Sequence, residues 1–207
     1  MDSRKQLSQL NFFTLLAGIF WYFTFAVNMG NFWIKIALSS VVLASCSFFI
    51  EKPRSSEYQI SWTNVLMGIG SAVILYGIFY AGNIFSGLLF DFASGQVGSI
   101  YQKGEGTNPF LIALILLVVT SPAEEIFWRG FFQKAAMKRY GDQGGYLFTT
   151  LIYGLVHIWS GNFMLVGAAL VAGAFWGFLY LKFHNLPILI ISHGIWAVTL
   201  FVLWPIR

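Results

Sequence analysis

The chain has 207 residues, of which 57% are hydrophobic and 10% charged, with a net charge of +4. Soluble domains average about 25% charged residues, and the mean hydropathy here is +0.72, so a water-soluble domain is excluded and an integral membrane protein is indicated. One lone cysteine, Cys46, rules out an intrachain disulfide.

Apolar runs of the length needed to cross a bilayer, roughly 20 residues each, recur along the whole chain. They predict an all-α polytopic bundle of about seven transmembrane helices, built as a single integral membrane domain over 1–207. In chain order the spans read Leu10 to Val27, Phe32 to Ile50, Ile60 to Tyr80, Phe110 to Phe132, Tyr146 to Trp159, Phe163 to Phe183 and Leu186 to Trp204. The first is too long, and lacks the small-residue site, for a cleaved signal peptide. The longest connection, Phe85 to Asn108, mixes polar residues with Leu88, Leu89, Phe90 and Phe92. It reads equally as an interfacial amphipathic helix or an irregular loop. In the sixth span Ala169, Gly173 and Gly177 recur every four residues, a face that lets helix backbones approach closely in lipid.

The cations follow the same count. Arg4, Lys5, Lys52, Arg54, Lys134, Lys138, Arg139 and Lys182 fall on one side; Lys103 and Arg207 fall on the other, with Lys35 just inside the second span. The positive-inside rule then makes the N-terminus cytoplasmic. The basic balance is thereby accounted for by topology and implies no nucleic acid partner.

Against this apolar background Glu124, Glu125 and Arg129 stand out. Ionised groups at membrane depth cost several kcal/mol unless paired, and they default to function. Glu125 and Arg129 are one helical turn apart and share a face, whereas Glu124 points about 100° away. The spacing predicts a Glu125–Arg129 pair that leaves Glu124 free. Pro122 cannot donate to the carbonyl of Val118, so a bend or opening is expected there. His157 lies one turn after Tyr153, and His193 opens a Ser-His-Gly sequence in the last span. Counted from Lys134 and Tyr146, Glu124 and His157 both lie roughly 15 Å into their helices.

A carboxylate and an imidazole within reach of one water can take its proton as it attacks a carbonyl, and a second imidazole can stabilise the oxyanion. A zinc site on Glu124, His157 and His193 is the minority reading, because His-Glu-x-x-His is missing and the ligands are widely separated. No cofactor is expected. A proton-coupled transporter is disfavoured by the absence of paired interrupted helices.

These motifs resemble those of the CPBP family, the CAAX-protease and bacteriocin-processing (Abi) intramembrane endopeptidases. EExxxR is matched by Glu124, Glu125 and Arg129. The motif of an aromatic, three residues and His is matched by Tyr153 and His157, and the final motif by His193. The likeness covers a CPBP-like core over about 110–207. It implies that Glu124 and His157 activate water, that His193 helps form the oxyanion hole, and that Glu125, Arg129 and Tyr153 support them. It also implies a substrate, either a peptide or a prenylated protein, cut near the cytoplasmic face of a bacterial plasma membrane. Position 197, where the family carries Asn or Asp, is Ala. Loss of one oxyanion donor costs about 100- to 1000-fold in rate, which leaves two alternatives. Ser192 or a water replaces the donor, or the chain is a catalytically weak member acting in bacteriocin immunity or in regulating a membrane partner.

Overall fold

The computed structural model describes residues 3–51 and 54–206, and among them every regular element is helical. Lys52 and Arg207, both used in the charge count, lie outside the described residues. Helix α1 spans Ser3–Phe25, α2 Phe32–Ile50, α3 Trp62–Leu89 and the short α4 Ala93–Gln102. The helical reading of the long connection is therefore the one adopted, with α3 taking its first residues and α4 its centre.

A continuous stretch then runs from Pro109 to Ser160. It breaks at Gly141, whose backbone lies at φ 74° and ψ 168°. Glycine alone takes such angles without steric cost. We call the two parts α5 (109–140) and α6 (142–155), the latter ending in a tight turn over Val156–Ser160. Helix α7 is Phe163–Phe183, and α8 is Leu186–Val198 with a final π-helical turn Thr199–Leu203. Five segments are long and apolar enough to cross a membrane: α2, α3, the stretch 109–160, α7 and α8 with its π turn.

Helix starts are fixed by local chemistry. The side chains of Asn31, Ser61, Asn108, Asn162 and Asn185 each accept a hydrogen bond from a backbone N–H of the first turn, satisfying donors that have no intrahelical partner. Around Pro122 the helix does not open. Instead Ile115–Thr120 and Ile126–Gln133 are π-helical on either side of the α-helical Ser121–Glu125. Proline removes one donor, and a change to i→i+5 bonding re-registers the ladder around the gap.

Two core clusters hold the bundle. One joins Leu10, Phe13 and Trp21 of α1 to Phe127, Trp128 and Phe132 of α5. The other joins Leu75 of α3 to Trp176 and Tyr180 of α7 and Leu189 and Trp196 of α8. The small face of α7 lies against α5 and α6. A methyl on Gly173 would come within 2.8 Å of Tyr153 Cδ1, and one on Gly177 within 3.0 Å of Tyr146. At one end of the bundle Lys134 pairs with Glu57 at 3.0 Å and Lys138 with Glu51 at 2.6 Å.

Candidate active site

The EExxxR segment is buried, with Glu124 at 5% exposure, Glu125 at 0% and Arg129 at 1%. The guanidinium donates to Glu125 Oε1 at 3.0 Å, as the spacing predicts. Its other nitrogen donates to the carbonyl of Gly173 at 3.3 Å. The group also lies 4.8 Å from the Tyr153 ring and 5.6 Å from the Trp176 ring. A buried charge is tolerated only when paired and hydrogen-bonded. The small face of α7 meets that demand by exposing a backbone carbonyl. Gln133, one turn on, repeats the device by donating to the carbonyl of Gly177 at 2.9 Å; the sequence reading did not single it out.

Glu125 also accepts from His193 Nδ1 at 2.8 Å. The imidazole stacks on Trp176 with ring centres 3.9 Å apart and planes 19° apart. A carboxylate already bonded to Arg129 can only accept, so Nδ1 carries the proton. The neutral ring then presents a lone pair at Nε2, and Nε2 becomes a donor only when His193 is protonated.

Glu124 points elsewhere, and its Oε2 accepts from the Tyr153 hydroxyl at 3.0 Å. His157 is held at both nitrogens. Nδ1 lies 2.7 Å from the Tyr153 carbonyl, and the Trp21 indole N–H donates to Nε2 at 3.2 Å. Because Nε2 accepts, the proton sits on Nδ1, which donates to the carbonyl. Trp21 is fully buried and comes from α1, outside every motif. Its only signal in the sequence is an aromatic with a polar tip in an apolar helix.

The structure brings the three separated groups together. Glu124, Tyr153, His157 and His193 line one cavity of about 110 Å³, along with Thr120 and Ala197. From Glu124 the cavity extends to Phe25, Phe32 and Lys103. The Lys103 ammonium lies over the Phe25 and Phe32 rings at 6.0 and 5.2 Å. Phe32 begins α2, whereas Glu51, the partner of Lys138, follows its last residue. The cavity therefore reaches the cation-poor end of the bundle, opposite to the end from which depth was counted.

A second, apolar chamber of about 340 Å³ lies between α3, α4, α7 and α8. Ile100, Leu165, Ala168, Trp196 and Phe201 line both spaces.

Ser192 lies outside the cavity lining, which sets it apart from a bound carbonyl. It is fully buried, and its hydroxyl accepts from Trp176 Nε1 at 3.1 Å. His184 caps the end of α7 in a left-handed conformation, away from the site. Among the described residues no group of three His, Cys, Asp or Glu side chains could hold a metal ion.

No curated protein and no solved structure matches the chain. The family described as Rce1-like, type II CAAX prenyl endopeptidase Rce1-like, matches residues 106–199. That stretch, somewhat under half of the chain, contains EExxxR, the Tyr153–His157 pair and His193, and its match agrees with the CAAX-protease (CPBP) resemblance of those motifs.

Proposed function

We propose that this protein is an intramembrane endopeptidase that hydrolyses a peptide bond of a peptide or prenylated protein using water activated by Glu124. The single observation that carries the reading is the convergence of Glu124, His157 and His193, from three separated helices, on one cavity. In the first step the water oxygen bonds to the scissile carbonyl carbon, the carbonyl electrons move to oxygen, and a water proton passes to Glu124. In the second step the carbonyl reforms, the C–N bond breaks, and Glu124 returns the proton to the leaving amine. Tyr153 orients the carboxyl through its hydroxyl. His157 holds the attacking water once the Trp21 N–H yields Nε2, because a single lone pair cannot serve both. Protonated His193, steadied by Glu125, faces the oxyanion.

The neighbouring apolar chamber suits a hydrocarbon chain attached to the substrate, which supports a lipidated substrate over a plain peptide. The site needs only side chains, and no metal or cofactor enters the scheme. The membrane is proposed to be a bacterial plasma membrane with the N-terminus cytoplasmic.

Ala197, 2% exposed and in the cavity wall, favours a second reading, a weak or inactive member that acts by binding a membrane partner. Mass spectrometry of peptides released from membranes with and without the protein separates the two. Glu124→Gln and His157→Ala are expected to abolish release while leaving the protein folded. Release undiminished in either variant removes the peptidase reading, and a cellular phenotype surviving both variants supports the binding role.

A further inference from the structure

The cavity's hydrogen-bond donors are mostly spoken for. The Tyr153 hydroxyl is given to Glu124, the Ser192 hydroxyl lies outside, and His157 has its one N–H on a backbone carbonyl. His193 offers a donor only when protonated, and Ala197 offers none. A developing oxyanion thus lacks a permanent donor from every position that the motifs supply.

One side chain fills the gap. Thr120 is 3% exposed and its Oγ1 has no hydrogen-bond partner among the described residues. It lines the cavity with Leu116 and Glu124, at four-residue steps along one face of α5. That stretch meets α8 beside His193, where a methyl on Gly194 would lie 2.9 Å from Leu117 Cδ1. Leaving a buried hydroxyl without a partner is unfavourable; Oγ1 is closed off in the structure, and a turn about χ1 to a second staggered rotamer brings it to a ligand in the cavity that accepts from it. The indole N–H groups of Trp33 and Trp196 are also unpartnered and also line the cavity. Trp33 belongs to the distant end with Phe32. Trp196 is fixed against Phe79 and Trp176, with ring centres 4.7 and 5.3 Å apart, in the wall shared with the apolar chamber. Thr120 alone sits one turn from Glu124.

We infer that the Thr120 hydroxyl is the second oxyanion donor, a catalytic residue in place of the side chain that Ala197 lacks. The inference rests on the peptidase reading. The hydroxyl donates to the carbonyl oxygen as negative charge develops there, and no bond to Thr120 forms.

The test uses the full chain in proteoliposomes and an internally quenched, S-farnesylated CAAX peptide. Thr120→Val is expected to lower kcat about 100-fold with KM changed by less than about 2-fold, the signature of a lost oxyanion donor. Thr120→Ser should stay within about 5-fold of wild type, because it keeps the hydroxyl. Ala197→Asn added to Thr120→Val should restore at least about 10-fold, by supplying the donor from the facing helix. The melting temperature of Thr120→Val should equal or exceed that of wild type, whereas a structural hydroxyl would lower it. Should the valine variant not fold, Thr120→Ala carries the same expectation for kcat. Thr120→Val turnover within about 3-fold of wild type, with Glu124→Gln inactive, overturns the assignment and leaves the peptidase reading standing. The same holds if Trp33→Phe or Trp196→Phe causes the large loss instead. A wild type that cleaves nothing, or an active Glu124→Gln, overturns both.

Discussion

At the residue scale, the site separates two carboxylates that are neighbours in sequence. Glu125 is absorbed by Arg129 and His193 on one face of α5, and Glu124 is left with a single phenolic donor on another. Arg129→Met would strand Glu125 as an uncompensated buried charge. A stability loss of about 3–5 kcal/mol is expected, read as a collapse of the melting temperature in detergent. Trp21 acts through His157. Its indole N–H occupies His157 Nε2 in the resting site, while Nδ1 stays on the Tyr153 carbonyl; Trp21→Phe keeps an aromatic ring and frees that lone pair for water, so cleavage of the quenched peptide should be undiminished. Chelators at millimolar strength should leave peptide cleavage unchanged, measured on the same quenched peptide. Loss of activity that zinc restores would sink the metal-free scheme.

At the scale of elements, two adjustments position the site. Proline at 122 is accommodated by π-helical turns, so α5 stays continuous and carries Thr120, Glu124, Glu125 and Arg129 through the core. The glycine face of α7 does the complementary work, admitting the Tyr153 ring and offering carbonyls to Arg129 and Gln133. Gly173→Val should cost about 1–3 kcal/mol by overpacking. It should also lower turnover, because the displaced Tyr153 no longer holds Glu124; thermal melting and peptide cleavage together check both effects.

At the scale of the whole molecule, charge organises the two ends. Burial works to raise the Glu51 carboxyl, but Lys138 and Lys134 beside it more than reverse this and hold it below the ordinary carboxylate range. A depressed native value contributes stability above the unfolded pKa, and that contribution is lost as pH falls through the native value. Glu51→Gln should therefore melt below wild type near neutral pH, by less than about 1 kcal/mol for a partly exposed pair. The two proteins should converge in acid. The orientation proposed from the cation count predicts that, in a Cys46→Ser background, an impermeant maleimide labels Lys103→Cys in intact cells and spares Lys138→Cys. The reverse pattern would invert the topology and move the cavity's open end to the cytoplasmic side.

The sequence by itself determined what local spacing and composition control. Apolar runs with few charges demand membrane helices. Asn and Ser before those runs cap them, and the i,i+4 spacing pairs Glu125 with Arg129 and aligns Tyr153 with His157. Tertiary structure decided everything that depends on which helix faces meet. In lipid nearly every face is apolar, so no amphipathic stripe marks the buried side as it would in water. Trp21 reaches His157 across 136 residues, and the Gly173 carbonyl reaches Arg129 across 44. The direction in which the cavity runs, and the hydroxyl left unpaired in its wall, likewise follow only from how the helices lean together.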